Sequence, residues 1–380
     1  MMTTTNRCIL VTGANGFIGK NLIIRLNELS NVKISTFIRG DDTDLLIDLI
    51  ASADAVIHLA GENRPFDDIA FEQVNVQLTS TLCNAIQHHF RVSGRHVPLV
   101  LASSIQAERD TPYGKSKFAA ETIVQSLNHS IGNPCVVFRL PGVFGKWCKP
   151  NYNSVVATFC NNLAQDLPIQ INDIYAPLRL VYIDDVVNAL LNATEVSAPE
   201  YLNLLIEPEY TITLGELAEQ IRAFSECRTT LISERVGSGL VRALYATYMS
   251  YLPKEKFSYA LTKHTDSRGD FVEMLKTPDC GQFSYFTALP GITRGGHYHH
   301  TKTEKFLVIK GEALFRFRNV LTDEPVEIYT SGNMPNVVET IPGWTHDITN
   351  VGHTEMVVML WANENFEIEK PDTVACKVIK

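Results

Sequence analysis

At 380 residues the chain is longer than one ordinary hydrophobic core serves, so two domains are expected. Hydrophobic residues at 45% and charged residues at 20% describe a soluble globular protein. A formal net charge of −9 argues against nucleic-acid binding, while leaving room for local basic pockets that take a phosphate.

The polar stretch Met1 to Arg7 runs directly into a strand-like segment, with no signal-peptide pattern. No apolar run is long enough to cross a bilayer, so a cytoplasmic protein without membrane contact is expected. Cys8 to Thr12 reads as a buried strand. Gly13-Ala14-Asn15-Gly16-Phe17-Ile18-Gly19 follows, and then an amphipathic helix from Lys20 to Leu29. Strand, glycine turn and helix in this order form a dinucleotide cradle. The glycines let the backbone approach a pyrophosphate, whose charge the helix N-terminus attracts. The next strand, Lys33 to Ile38, ends at Arg39, which suits a 2'-phosphate and favours NADPH; Asp41 and Asp42 follow closely. Asp54 to Gly61 is a third strand running into Leu59, Ala60 and Gly61, small enough at its end for a cofactor to lie against backbone. His58 reads as a core histidine. A helix is predicted over 76–88, and a buried strand from Pro98 to Ala102 ends in Ser103-Ser104, where hydroxyls face the ligand crevice of an open α/β sheet or cap a turn. Tyr113 and Lys117 lie four apart, on one face of a helix. A lysine ammonium there is expected to lower the tyrosine pKa, so that the pair can protonate a carbonyl oxygen as hydride reaches its carbon.

Together and in order, Thr12-Gly13-x-x-Gly16-x-x-Gly19, the Asp54 to Gly61 strand, Ser103-Ser104 and Tyr113-x-x-x-Lys117 resemble the extended short-chain dehydrogenase/reductase family. That group includes nucleotide-sugar epimerases, dehydratases and reductases. The resemblance spans about residues 6 to 245 and implies an α/β Rossmann domain. It implies that Ser104 holds the substrate carbonyl, with Ser103 as fallback, that Tyr113 is the acid, and that Lys117 binds the nicotinamide ribose. Ile105-Gln106-Ala107-Glu108 replaces the Val-Tyr-Gly of many relatives. Arg139 to Gly145 resembles the segment beside the nicotinamide and sugar. Asn151 and Tyr152 fit a loop over a sugar. Arg179 suits either a diphosphate or a surface ion pair with Asp173 or Glu207. Asp184 or Asp185 reads as a helix cap.

Domains are therefore expected over residues 1–250 and 263–380, joined by 251–262. Beyond the join the period becomes two. Gln282 to Leu289, Glu304 to Ile309, Glu312 to Arg318, Val326 to Tyr329, Val337 to Ile341 and Glu355 to Leu360 read as short strands of a β-barrel or sandwich. His297 and His299 project to one side of a strand, Glu304 can come from its neighbour, and His346 supplies a third imidazole. Three imidazoles and a carboxylate suit a divalent transition metal, with zinc expected. The eight cysteines include no Cys-x-x-Cys pair and are expected as free thiols.

Gly291-x5-His297-Tyr298-His299-x4-Glu304-x6-Gly311 and Pro342-Gly343-Trp344-Thr345-His346 resemble the two cupin motifs, the second with proline and glycine adjacent. Asp266 to Glu273 and Thr293 to Tyr298 are also similar to deoxysugar 3,5-epimerases. That likeness implies a proton-abstracting role for His297 and diphosphate contacts for Arg268 and Arg294. The metal role is preferred for His297, because His299 and Glu304 complete its spacing. The whole chain resembles the bifunctional CapF/WbjC-type epimerase/reductases of capsule and O-antigen synthesis, on the route to L-fucosamine. This implies a homodimer acting on a UDP-linked 4-keto-6-deoxy amino sugar, epimerised at C3 in the cupin and reduced at C4 with NADPH. The order follows from chemistry, since reducing the ketone removes the acidity that epimerisation needs. Rival readings are a reductase with a structural cupin, an NADPH sensor, and, more distantly, a cupin oxygenase.

Overall fold

The computed structural model describes residues 7–65, 67–266, 269–272, 275, 282–364, 369 and 371–379. Two compact units form: Met1–Val143 with Arg179–Thr211, and Phe144–Leu178 with Ile212–Lys380. The fold class is as expected, an α/β Rossmann-type unit and an all-β cupin-like barrel.

In the first unit, β1 (Arg7–Thr12), β2 (Val32–Phe37), β3 (Ala55–His58), β4 (Leu99–Ser104) and β5 (Cys135–Leu140) form a parallel sheet with strand Tyr201–Leu204. The strand order is β2-β1-β3-β4-β5, with Tyr201–Leu204 outside β5. Both faces of β1, β3 and β4 are covered, which is why these strands read as continuous apolar runs. Helices α1 (Phe17–Asn27), α2 (Leu45–Ser52), α3 (Leu78–Ser93) and α4 (Pro112–Ile131) are the crossovers. Leu46, Ile50, Leu82, Ile86 and Val124 pack with Leu10, Val56 and Leu99 into one core cluster. The helix predicted over 76–88 begins instead with a wider π-type turn, Phe71–Gln77, that runs into α3. The C-terminal ends of β1, β3 and β4 carry Thr12, His58 and Ser104, so the sheet presents its polar residues along one edge.

In the second unit, two five-stranded antiparallel sheets carry the period-two segments. One orders Ser258–Ala260, Asn336–Glu339, Glu304–Lys310, Met356–Ala362 and Gln282–Ala288; the other orders Pro325–Ser331, Glu312–Asn319, Trp344–Asn350, Thr293–Tyr298 and Val374–Ala375. In Glu312–Asn319, Ala313, Phe315 and Phe317 face inward and alternate with more exposed residues. Helices Val155–Ala164, Leu214–Thr230 and Gly239–Met249 belong to the same unit. Arg228 and Lys305 both form ion pairs with the fully buried Glu339, joining helix Leu214–Thr230 to the barrel wall. Leaving Glu339 unpaired at this depth would be costly, so the three charges stand or fall together.

Candidate active site and metal centre

The sequence determines the first unit's site through close backbone approaches. Gly13 sits at φ +70°, and a Cβ there would lie 2.6 Å from Ala60 N. A Cβ on Gly19 would lie 2.3 Å from Gly13 O, so the turn closes only with glycine at both positions. Gly16 begins α1 without a side-chain cap, leaving the first-turn amides facing the space in front of the turn. Asn15 is exposed there, while Phe17 and Ile18 are half-buried at the helix start. This cradle fits a dinucleotide pyrophosphate. Leu59 and Ala60 are half-buried and Gly61 is exposed, and a Cβ on Gly61 would stand 3.7 Å from Lys117 Nζ.

Gly114 brings the reactive groups together. A Cβ there would lie 2.3 Å from Gln106 O and 2.4 Å from Arg109 O, so glycine lets α4 press onto the turn that follows Ser104. Thr111 caps α4 by accepting from Gly114 N–H at 3.0 Å, and Pro112 opens the helix. The Ser104 side chain is then close enough to the Tyr113 phenol to act on its titration. Phe71 walls the tyrosine, with ring centroids 5.8 Å apart. Lys117 is buried and donates to Ala102 O at 2.7 Å. Burial pushes its pKa down to about 8, opposed by the Glu121 carboxylate. The expected lowering of the Tyr113 pKa is not what this fold produces. Burial raises it, and the neighbouring Ser104 side chain offsets that only in part.

Ser103 and Ser104 alternate across β4. Ser103 donates to Glu121 at 2.5 Å, and Arg139 grips the same carboxylate with contacts of 2.7, 3.0 and 3.2 Å. The spacing Lys117-x-x-x-Glu121 was a signal that sequence reasoning did not use. His58 is a core histidine, pushed down to about 3 by burial and then by the charge of Lys117. Thr79 spends its proton on Asn75 O at 2.7 Å, so it accepts from His58 Nε2–H at 2.9 Å. His58 Nδ1 therefore accepts from the Thr12 hydroxyl at 2.6 Å, and that oxygen accepts from Ala60 N–H at 3.2 Å. This relay of hydrogen bonds fixes the backbone at Ala60.

Arg39 is exposed and pairs with Glu62 at 2.7 Å. Arg179 forms the surface ion pair, with Glu209 at 2.5 and 2.9 Å rather than with Asp173 or Glu207. In the second unit, Asn151 holds φ +53° and donates its N–H to Thr158 Oγ1 at 3.0 Å, and Lys149 stands 5.2 Å over the Tyr152 ring. The exposed Arg294 lies 5.4 Å over the Phe286 ring, and Arg268 lies outside the described residues.

The barrel gathers His297, His299, Glu304 and His346, whose candidate ligand atoms all lie within 4.8 Å of one another. Strand pairing places His297 directly opposite His346. His299 Nδ1–H donates to Asp372 O, which turns the Nε2 lone pair toward Glu304 Oε2 at 3.3 Å. Two acceptors at that distance are reconciled by a shared cation or proton. His346 Nδ1 contacts Trp344 O at 3.5 Å, and its buried Nε2 makes no hydrogen bond, at 3.5 Å from the same carboxylate oxygen. Burial, then His346 and His299, push the His297 pKa down to about 4. The donor set fits a divalent transition metal. Asp372 had no signal in the sequence. Its carboxylate accepts from the N–H groups of His300, Thr301 and Lys302 at 2.7 to 2.8 Å, and it serves His299 through its main chain.

Comparison with known proteins gives the class. Residues 9–204 match the NAD dependent epimerase/dehydratase family, and residues 264–374 match the polysaccharide biosynthesis C-terminal domain. The chain belongs to the NAD dependent epimerase/dehydratase family. Among individual proteins, it is 56% identical to a UDP-2-acetamido-2,6-beta-L-arabino-hexul-4-ose reductase of Pseudomonas aeruginosa, over 97% of this chain and 98% of that protein. It is also similar to the capsular polysaccharide assembling protein CapF of Staphylococcus aureus, at 40% identity and a TM-score of 0.65, covering 97% of this chain and 100% of that one. The Bordetella bronchiseptica enzyme WbmF in complex with NAD+ shares the fold at 21% identity and a TM-score of 0.51, over 58% of this chain and 79% of that one. Among the described residues, no helix is long and apolar enough to cross a membrane.

Proposed function

We propose that the chain is a bifunctional nucleotide-sugar enzyme. Its barrel epimerises C3 of a UDP-2-acetamido-2,6-dideoxy-hexos-4-ulose, and its Rossmann-type domain then reduces the C4 ketone to a UDP-N-acetyl-6-deoxy-L-sugar. The observation that carries the reductase reading is the grouping of Ser104, Tyr113 and the buried Lys117, in a chain 56% identical to a hexul-4-ose reductase. Reductase and barrel are assigned to residues 1–250 and 263–380.

Gly13, Asn15, Gly16, Phe17, Ile18, Gly19, Leu59, Ala60 and Gly61 would hold the dinucleotide, and Arg39 the 2'-phosphate of NADPH. The nicotinamide supplies hydride chemistry. The chain supplies the proton and the positioning. Tyr113 gives its phenolic proton to O4, whose developing charge Ser104 steadies by a hydrogen bond. The raised pKa of Tyr113 suits this direction, because the phenol is the form that donates. Lys117, held against Ala102 O, keeps a positive charge below the ribose face and stabilises the phenolate left behind.

In the barrel, the proton on C3 is acidic while C4 is a ketone, and its removal and return on the opposite face inverts that carbon. His297, His299, Glu304 and His346 would hold a divalent ion, zinc in this reading, which supplies Lewis-acid stabilisation of a developing oxyanion. Asn151 and Tyr152 are proposed over the sugar and Arg179 on the diphosphate at the reductase, exchanging its carboxylate partner for phosphate, while Arg268 and Arg294 are proposed on the diphosphate in the barrel. The protein acts as a cytoplasmic homodimer in capsule or O-antigen assembly, on the UDP-L-FucNAc route.

The test is incubation with the UDP-4-keto-sugar in deuterated water, with and without NADPH, followed by NMR. Deuterium at C3 without NADPH, and a reduced L-sugar with it, is the expected result. Reduction without exchange would overturn the epimerase half and leave a reductase with a structural barrel.

A further inference from the structure

Pro342 and Gly343, adjacent in sequence, form the turn that leads into strand Trp344–Asn350 and so delivers His346. Gly343 holds φ +77°. Its N–H donates to His299 O at 3.0 Å, and its carbonyl accepts from Val320 N–H at 3.0 Å. One glycine backbone therefore ties together the chain segments that carry two of the four clustered side chains. A Cβ on Gly343 would lie 2.5 Å from Trp147 Cζ2 and 3.3 Å from Cε2 and Cη2. The six-membered ring of the indole is thus seated against this glycine, within the second unit.

Trp147 itself holds φ +67°, a left-handed conformation that bulky side chains avoid. Such an outlier persists only where its surroundings over-determine it. Here Lys146 Nζ lies 5.4 Å from the ring, and the buried Cys148 accepts at its carbonyl from the Tyr251 hydroxyl. The strain holds the indole where Gly343 needs it. Ligand side chains must sit within about 0.5 Å of their working geometry, so a turn bonded to His299 and leading to His346 needs a brace.

We propose that Trp147 is a positioning residue for the metal cluster, bracing Gly343 and through it fixing His299 and His346. The inference rests on the reading of the cluster as a metal site. A merely space-filling Trp147 would contribute equally to the stability of metal-loaded and metal-free protein, whereas a brace contributes to metal affinity.

The experiment measures Zn2+ affinity of the full chain by competition with a chromophoric chelator, for wild type, Trp147→Phe, Trp147→Ala and His297→Ala. The expected result is a Kd about 10- to 100-fold weaker in Trp147→Ala, as for residues that orient metal ligands. Trp147→Phe, whose smaller ring braces Gly343 only in part, shows a smaller loss. The thermal shift between zinc-loaded and chelator-treated protein shrinks in the same order. If Trp147→Ala does not fold, Trp147→Phe decides. Zinc bound equally tightly by wild type and both Trp147 variants would overturn the brace. A wild type that binds no better than His297→Ala would instead overturn the metal reading itself.

Discussion

The two sites are built on opposite principles. In the first unit, the polar groups already have protein partners: Lys117 donates to Ala102 O, Ser103 to Glu121, and Ser104 accepts from Gln106 N–H. In the barrel, His346 Nε2 is buried without a hydrogen bond, and His299 Nε2 faces a carboxylate 3.3 Å away. In the proposed reading the first site is complete as a proton donor and needs only a cofactor and a ketone laid against it, whereas the second is completed by a cation that joins its acceptors. Orphaned acceptors clustered this tightly are costly, and binding an ion converts that cost into affinity.

The largest effect separates the two halves outright. His297→Ala should abolish zinc binding and C3 exchange while leaving reduction of a ketone that is already epimerised. Unchanged zinc by elemental analysis would remove His297 from the ligand set. Next comes pH. Ketoreduction should fall as pH rises through about 8, where Lys117 loses its ammonium. Stability should move the other way. The folded pKa of Lys117 lies below its ordinary 10.5, so between about 8 and 10.5 the unfolded chain binds the extra proton. That contribution to stability therefore rises with pH. A kcat flat to pH 10 would show that the charge of Lys117 is not used.

Two smaller effects sharpen the contrast. Asp372→Asn weakens the grip on the loop carrying His300 to Lys302, and should cost about tenfold in zinc affinity with no change in ketoreduction. An equal loss of both would mean that Asp372 serves the whole protein. Arg179→Ala removes an exposed pair with Glu209 and should leave the thermal midpoint unchanged, because exposed pairs contribute little. A raised KM for the UDP-sugar would then assign Arg179 to the diphosphate, and an unchanged KM would leave it a surface ion pair.

Much of this was legible because it is local. Gly13 to Gly19, the tyrosine–lysine spacing and the period-two strands each declare themselves within a few residues. The clustering of His297, His299 and Glu304 was legible for the same reason, since His297 and His299 lie two apart in sequence and Glu304 opens the next strand. What stayed hidden acts through the backbone or across long separations. Asp372 orients His299 through a carbonyl 73 residues away, which no side-chain pattern records. The Tyr113 pKa was misread because pair spacing shows the charge of Lys117 and not the burial of the phenol. Arg179 found Glu209 because strands Pro177–Tyr182 and Glu209–Thr213 are neighbours in a sheet, so the fold and not the nearby sequence sets its partner.

The central claim is that two chemically separate sites act in sequence on one keto-sugar. Tyr113→Phe, incubated with the UDP-4-keto-sugar and NADPH in deuterated water, tests it most directly. NMR should show deuterium at C3 at the wild-type rate, with NADPH oxidation slowed about 10²- to 10⁴-fold, the usual reach of a general acid. Loss of C3 exchange in a folded Tyr113→Phe protein would contradict the division.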